Sequence, residues 1–178
     1  MSVIRQQAFG GINETLSTVR AMQQKYPDTE QHVTLVTFDS VSMKWHYNDA
    51  LAKDTADMRW SDYNPRAATP LYDAIGTTVS KLNGQVGPDD NVLVTIITDG
   101  EENSSEEWTL KMVRTMIEKL KKQNWTFTLI GTDNLDVETM AVLCRGKATK
   151  GRAPQMVRTA IRNQVFNLSD LIIAPVLY

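Results

Sequence analysis

The stretch Asn91-Val-Leu-Val-Thr-Ile-Ile-Thr-Asp-Gly-Glu-Glu-Asn103 begins apolar and ends acidic. From Val92 to Thr98 every residue is apolar or β-branched, with no polar alternation, which is the pattern of a strand buried on both faces. The run breaks at Asp99-Gly100 and turns acidic at Glu101-Glu102. An aspartate in that place serves as a turn residue, a helix cap or a metal ligand. The segments on either side decide between these roles.

Outward from this strand, helical and strand periods alternate. Residues 3–24 carry Ala8, Ile12, Leu16 and Val19 on one face, an amphipathic helix that ends at the Lys25-Tyr-Pro-Asp28 turn. His32-Val-Thr-Leu-Val-Thr-Phe38 reads as a strand, and Met43-Lys-Trp-His-Tyr47 as a second, shorter one paired with it at a sheet edge. Thr69-Pro-Leu-Tyr-Asp-Ala-Ile75 starts a helix, with threonine as the cap and proline pre-set for the first helical position, and this helix ends near Asn83-Gly84. Beyond the central strand come a helix from about Ser105 to Lys122 and a strand over Trp125–Ile130. Helices follow near 136–144 and over 154–166, and the last segment is apolar, Leu171–Tyr178. Apolar strands flanked by helices predict one α/β domain over residues 1–178, a doubly wound, mostly parallel sheet with helices on both faces and one short antiparallel edge hairpin.

Composition narrows the function. With 19 Lys+Arg against 21 Asp+Glu the formal net charge is −2, so no global pull toward nucleic acid exists. The basic clusters Lys119–Lys122 and Arg145–Arg152 read as solvated faces or loops. A single cysteine, Cys144, excludes an internal disulfide and suits a reducing compartment. The opening Met-Ser-Val-Ile-Arg-Gln carries no signal-peptide pattern, and no apolar run approaches the roughly 20 residues a membrane helix needs. The expectation is a cytoplasmic protein without nucleic-acid or membrane partners.

In doubly wound sheets, ligands sit beyond the carboxyl ends of the strands, and Asp99 falls there. The chain has neither a G-x-G-x-x-G nor a G-x-x-x-x-G-K-[ST] phosphate loop, and no G-x-S-x-G nucleophile elbow. His32 and His46 lie in or beside strands, away from the carboxyl end where a base is wanted, and read as structural. What remains is oxygen chemistry. Asp99, the nearby glutamates and the Thr69 hydroxyl are hard ligands that suit Mg²⁺, Mn²⁺ or Ca²⁺.

Three motifs in one order carry a resemblance: Val33-Thr-Leu-Val-Thr-Phe-Asp39, then Ala68-Thr-Pro-Leu-Tyr-Asp-Ala-Ile75, then Ile97-Thr-Asp-Gly-Glu-Glu-Asn103. Together they resemble the von Willebrand factor A (vWA) domain family over about residues 2–145, leaving 146–178 as an extension with a helix and a final strand. The resemblance implies binding of a protein partner through a metal-ion-dependent adhesion site. That site takes a D-x-S-x-S loop after the first strand, a threonine from a second loop and an aspartate from a third. Carried over, Thr69 matches the second loop and Asp99 the third.

The family's D-x-S-x-S loop, and the first strand before it, have no counterpart ahead of the first helix. Asp39-Ser-Val-Ser-Met43 does not supply it, because Val41 and Met43 stand where the two serines belong. A cation held by Thr69 and Asp99 alone binds weakly or not at all, since affinity for hard cations follows the number and charge of arranged oxygens. The expected function is a non-enzymatic interaction module with a contact rim of Asp39, Arg66, Asp73, Glu101, Glu102 and Asn103. The alternative is a metal-dependent hydrolase using the acidic loop 99–102. In the family the first strand lies between those matching 33–38 and 91–98, so its loss leaves two open apolar edges. Leu171–Tyr178 is expected to fill the gap, from its own chain or from a neighbour as a strand-swapped homodimer, with the Tyr178 carboxylate near Thr69 and Asp99.

Overall fold

A computed structural model describes residues 3–63, 68–98, 102–131 and 168–175. Among the described residues three α-helices, α1 (Val3–Lys25), α2 (Leu71–Asn83) and α3 (Leu110–Leu120), accompany five strands. The strands are β1 (His32–Phe38), β2 (Met43–Leu51), β3 (Asn91–Thr98), β4 (Trp125–Gly131) and β5 (Leu168–Pro175), and they form one sheet in the order β2-β1-β5-β3-β4. Among the described strands the β1–β2 pair is antiparallel, and β1–β5, β5–β3 and β3–β4 run parallel. The expected helices near 136–144 and 154–166 lie outside the described residues.

The two apolar clusters are drawn from alternate residues of the same strands, as the two-residue period of a strand requires. Val33 and Leu35 of β1 and Ile97 of β3 pack with Ala8, Ile12, Leu16 and Val19 of α1. Phe38 of β1 and Val92, Val94 and Ile96 of β3 pack with Leu71, Ile75, Val79 and Leu82 of α2 and with Val113, Ile117 and Leu120 of α3. Ile12, Leu16, Ile75 and Ile117 are fully buried, so the 3.6-residue spacing of each helix delivers its stripe to the interior.

The final apolar segment lies in the middle of the sheet. β5 pairs with β1 from Ser169 opposite His32 to Pro175 opposite Phe38, and with β3 from Leu168 opposite Asn91 to Ile173 opposite Ile96. The strand starts three residues earlier than expected, at Leu168, and residues 176–178 lie outside the described ones.

Three expected boundaries are corrected. β2 continues to Leu51 instead of stopping at Tyr47, because register shifts between Val33 and Val36 and a positive φ of 52° at Asp49 let the pairing resume. There the Asp49 N–H donates to the Thr34 hydroxyl at 3.0 Å. Thr69 does not cap α2: Pro70, at ψ 66°, occupies the cap position without a side-chain bond, and the helix begins at Leu71. Helix α3 begins at Leu110 instead of Ser105, with Thr109 as its cap; the Thr109 side chain accepts from the Met112 N–H at 3.3 Å.

Candidate functional site

Three loops meet beyond the carboxyl ends of β1 and β3, and each is built around an acid. After β1, Asp39 turns back on its own chain: its Oδ1 accepts the Val41 N–H at 2.8 Å and the Ser42 N–H at 2.7 Å. Short acidic side chains form such turns readily, and here the turn leaves Val41 at the tip, 73% exposed. Ser40 then reaches the second loop, its N–H donating to the Ala68 carbonyl at 3.0 Å while its Oγ accepts the Ala68 N–H at 3.1 Å.

The second and third loops interlock. The Thr69 N–H donates to Asn103 Oδ1 at 2.7 Å, and the Asn103 N–H returns to the Thr69 carbonyl at 3.2 Å. Proline at the cap of α2 leaves the first-turn N–H groups without a local acceptor. The third loop supplies one: Glu102 Oε2 accepts the Tyr72 N–H at 2.9 Å, and Ser105 Oγ accepts the N–H groups of Tyr72 and Asp73 at 3.0 and 3.1 Å. Asp73 answers in the opposite direction, taking the N–H groups of Glu106, Glu107 and Trp108 at 2.8, 3.0 and 2.6 Å. Glu102 also braces its own loop. Its Oε1 accepts Ser104 and Ser105 N–H at 2.9 and 2.7 Å, and its Oε2 the Ser105 hydroxyl at 2.6 Å.

Packing secures the third loop as well. The Trp108 indole lies against Gly76 of α2, where an added Cβ would overlap the ring. Gly76 is there because only a hydrogen leaves room for the indole, and the conformational cost of glycine inside a helix is offset by that contact.

Of the residues singled out in the sequence, the structure brings together Asp39, Thr69, Asp73, Glu102 and Asn103 on adjoining loops. Arg66, Asp99 and Glu101 lie outside the described residues. Thr69 is 5% exposed and Asp39 8%, so neither is a projecting contact residue. Asp39, Asp73 and Glu102 all face N–H donors, and donors arranged around a carboxylate compete for the lone pairs a cation needs. Among the described residues, no three His, Cys, Asp or Glu side chains form a group that could hold a metal ion. Ser40, Ser105, Trp108 and Gly76 were absent from the expected rim; their partners lie about 30 residues away or more, beyond the reach of any local pattern.

Both histidines sit on the β1–β2 ribbon. His32 Nδ1 lies 2.9 Å from Asp49 Oδ1 and its Nε2 3.4 Å from Glu30. Burial pulls the His32 imidazole down, but the Glu30 hydrogen bond and the charge and hydrogen bonds of Asp49 outweigh it and leave the pKa above the ordinary 6.5. His46 bonds the Thr37 hydroxyl through Nε2 at 2.8 Å, and burial, joined by the Lys44 charge and partly offset by Asp62, holds its pKa below 6.5.

No protein-family model matches the chain, and no curated protein and no solved structure matches it. Among the described residues no helix is long and apolar enough to cross a membrane.

Proposed function

We propose that this chain is a non-enzymatic protein-interaction module of the vWA type, a doubly wound sheet whose working surface is the rim of loops 39–42, 68–73 and 102–108. The observation that carries the reading is the cross-bonding of those loops: Ser40 to Ala68, Thr69 to Asn103, Glu102 to Tyr72 and Asp73 to Trp108. Loops from separate strand ends, fixed to one another, form a pre-organised surface, and pre-organisation lowers the entropy lost on binding. The strand order supports the same reading. β5 stands between β1 and β3, the position of the family's first strand, with parallel neighbours on both sides.

The rim keeps its shape through carboxylate-to-amide bonds, with no step assigned to Mg²⁺ or another cation. Val41, the exposed apolar tip, and Asn103 supply contact chemistry to a protein partner. The single cysteine fits a reducing, cytoplasmic setting.

The hydrolase alternative requires a free base at loop 99–102. Glu102 is spent on four donors, the N–H groups of Tyr72, Ser104 and Ser105 and the Ser105 hydroxyl. Hydrolysis of a phosphomonoester and of single-stranded DNA, measured with Mg²⁺ and Mn²⁺, is expected to stay at the buffer rate. Turnover that Glu102→Gln or Asp99→Ala abolishes would overturn the proposal.

A further inference from the structure

We infer that the slot between β1 and β3 accepts β5 from a second copy of this chain as well as from its own, so that two copies can exchange their final strands. Among the described strands the sheet is two halves, β2-β1 and β3-β4, with no direct pairing between them, and β5 joins them. With β5 out of the slot, β1 and β3 present bare edges lined by buried residues, among them Val33, Leu35, Val94 and Ile96 at 0% exposure. Bare parallel edges with apolar side chains take up the next suitable strand they meet.

β5 is also the least suited of the three inner strands to permanent residence. β1 reads HVTLVTF and β3 reads NVLVTIIT, without a carboxylate, whereas β5 reads LSDLIIAP. Pro175, opposite Phe38, brings no N–H to the ladder. The missing N–H lowers the free energy needed to withdraw this strand relative to its neighbours.

The connection permits either destination. Thirty-six residues, 132–167, separate β4 from β5 in the sequence. The tether raises the local concentration of the chain's own strand, so the closed monomer dominates when dilute and the exchanged pair grows with concentration. The exchange is reciprocal, each copy filling the other's slot, which closes the assembly as a two-fold dimer.

Single-cysteine full chains test this, each carrying Cys144→Ser. Thr37 and Ala174 are register partners, so Thr37→Cys is mixed with Ala174→Cys at high concentration, incubated and then oxidised. The expected result is a disulfide-linked heterodimer whose ratio to monomer rises about tenfold for each tenfold rise in free monomer, by mass action. Val41→Cys mixed with Ala174→Cys measures random collision, because Val41 is exposed and outside the register. A Thr37–Ala174 yield no higher than this control would overturn the inference. Should either variant fail to fold, Thr34→Cys with Leu171→Cys poses the same question at another register pair, with the same two outcomes.

Discussion

Replacing Glu102 by alanine should unlock the rim without touching the core. The change removes the acceptor of the Tyr72 N–H in the first turn of α2 and of the Ser104 and Ser105 N–H groups in the third loop. Loss of a helix cap costs about 1 kcal/mol, and loss of a negative charge at a helix N-terminus costs about 0.5 kcal/mol. The loop amides add about 1 kcal/mol, at the low end for charged hydrogen bonds because Glu102 is half-buried and water can replace it. The sum is about 2.5 kcal/mol, which lowers Tm by roughly 5–10 °C for a chain of this size. Glu102→Gln keeps one carbonyl oxygen and should lose roughly half as much, about 1 kcal/mol, through the charge and one acceptor. Thermal unfolding followed by circular dichroism reads both variants, and amide exchange at Tyr72 and Ser105 reads the local effect. If Glu102→Ala melts with the parent and those amides stay protected, the interlock between loop 102–108 and α2 does not exist.

Gly76→Ala gains about 1 kcal/mol of helix propensity but forces the Trp108 indole off α2 at an overpacking cost of about 1–3 kcal/mol; a lower Tm is expected, and a higher one would show that the indole does not rest on Gly76. The two histidines act on stability in opposite directions. His32, with its pKa raised, stabilises fully below 6.5 and loses that contribution as pH rises through the folded value; His46, with its pKa lowered, costs stability as pH falls from 6.5 through its folded value. In urea titrations across pH, His32→Gln should flatten the alkaline side and His46→Gln the acid side, and unchanged profiles would discard these assignments. Ending the chain after residue 167 removes β5 and should leave an aggregating product, so a soluble monomer with the parent's melting curve would refute the central position of that strand.

Local patterns carried much of the fold. The β-branched runs at 33–38, 92–98 and 125–130 needed no context, and the stripe of Ala8, Ile12, Leu16 and Val19 pointed inward as its spacing required. The place of the final strand was an implication of the resemblance alone, whose missing first strand leaves a gap between those matching 33–38 and 91–98. What local rules misread was capping across the chain. Thr69-Pro70 looks like a cap followed by a first helical residue, yet the acceptors for α2 come from Glu102 and Ser105, more than 30 residues away in the case of Ser105. Ser105-Glu106-Glu107 likewise looks like the start of a helix. Asp73 takes the N–H groups of Glu106, Glu107 and Trp108 and holds that stretch as a loop until Thr109. Long-range hydrogen bonds leave no periodic trace, so the sequence reads Asp39, Asp73 and Glu102 as contact residues of a rim and gives no sign of the backbone N–H groups they accept.

Amide exchange at the rim, compared in excess Mg²⁺ and in excess chelator, tests most directly the claim that carboxylate-to-amide bonds hold these loops. The reporters are the N–H groups of Val41 and Ser42 on Asp39, of Tyr72 and Ser105 on Glu102, and of Glu106 to Trp108 on Asp73. Equal protection in both conditions is the predicted result. Protection that appears only with Mg²⁺ would contradict it, because a cation would then be organising the loops.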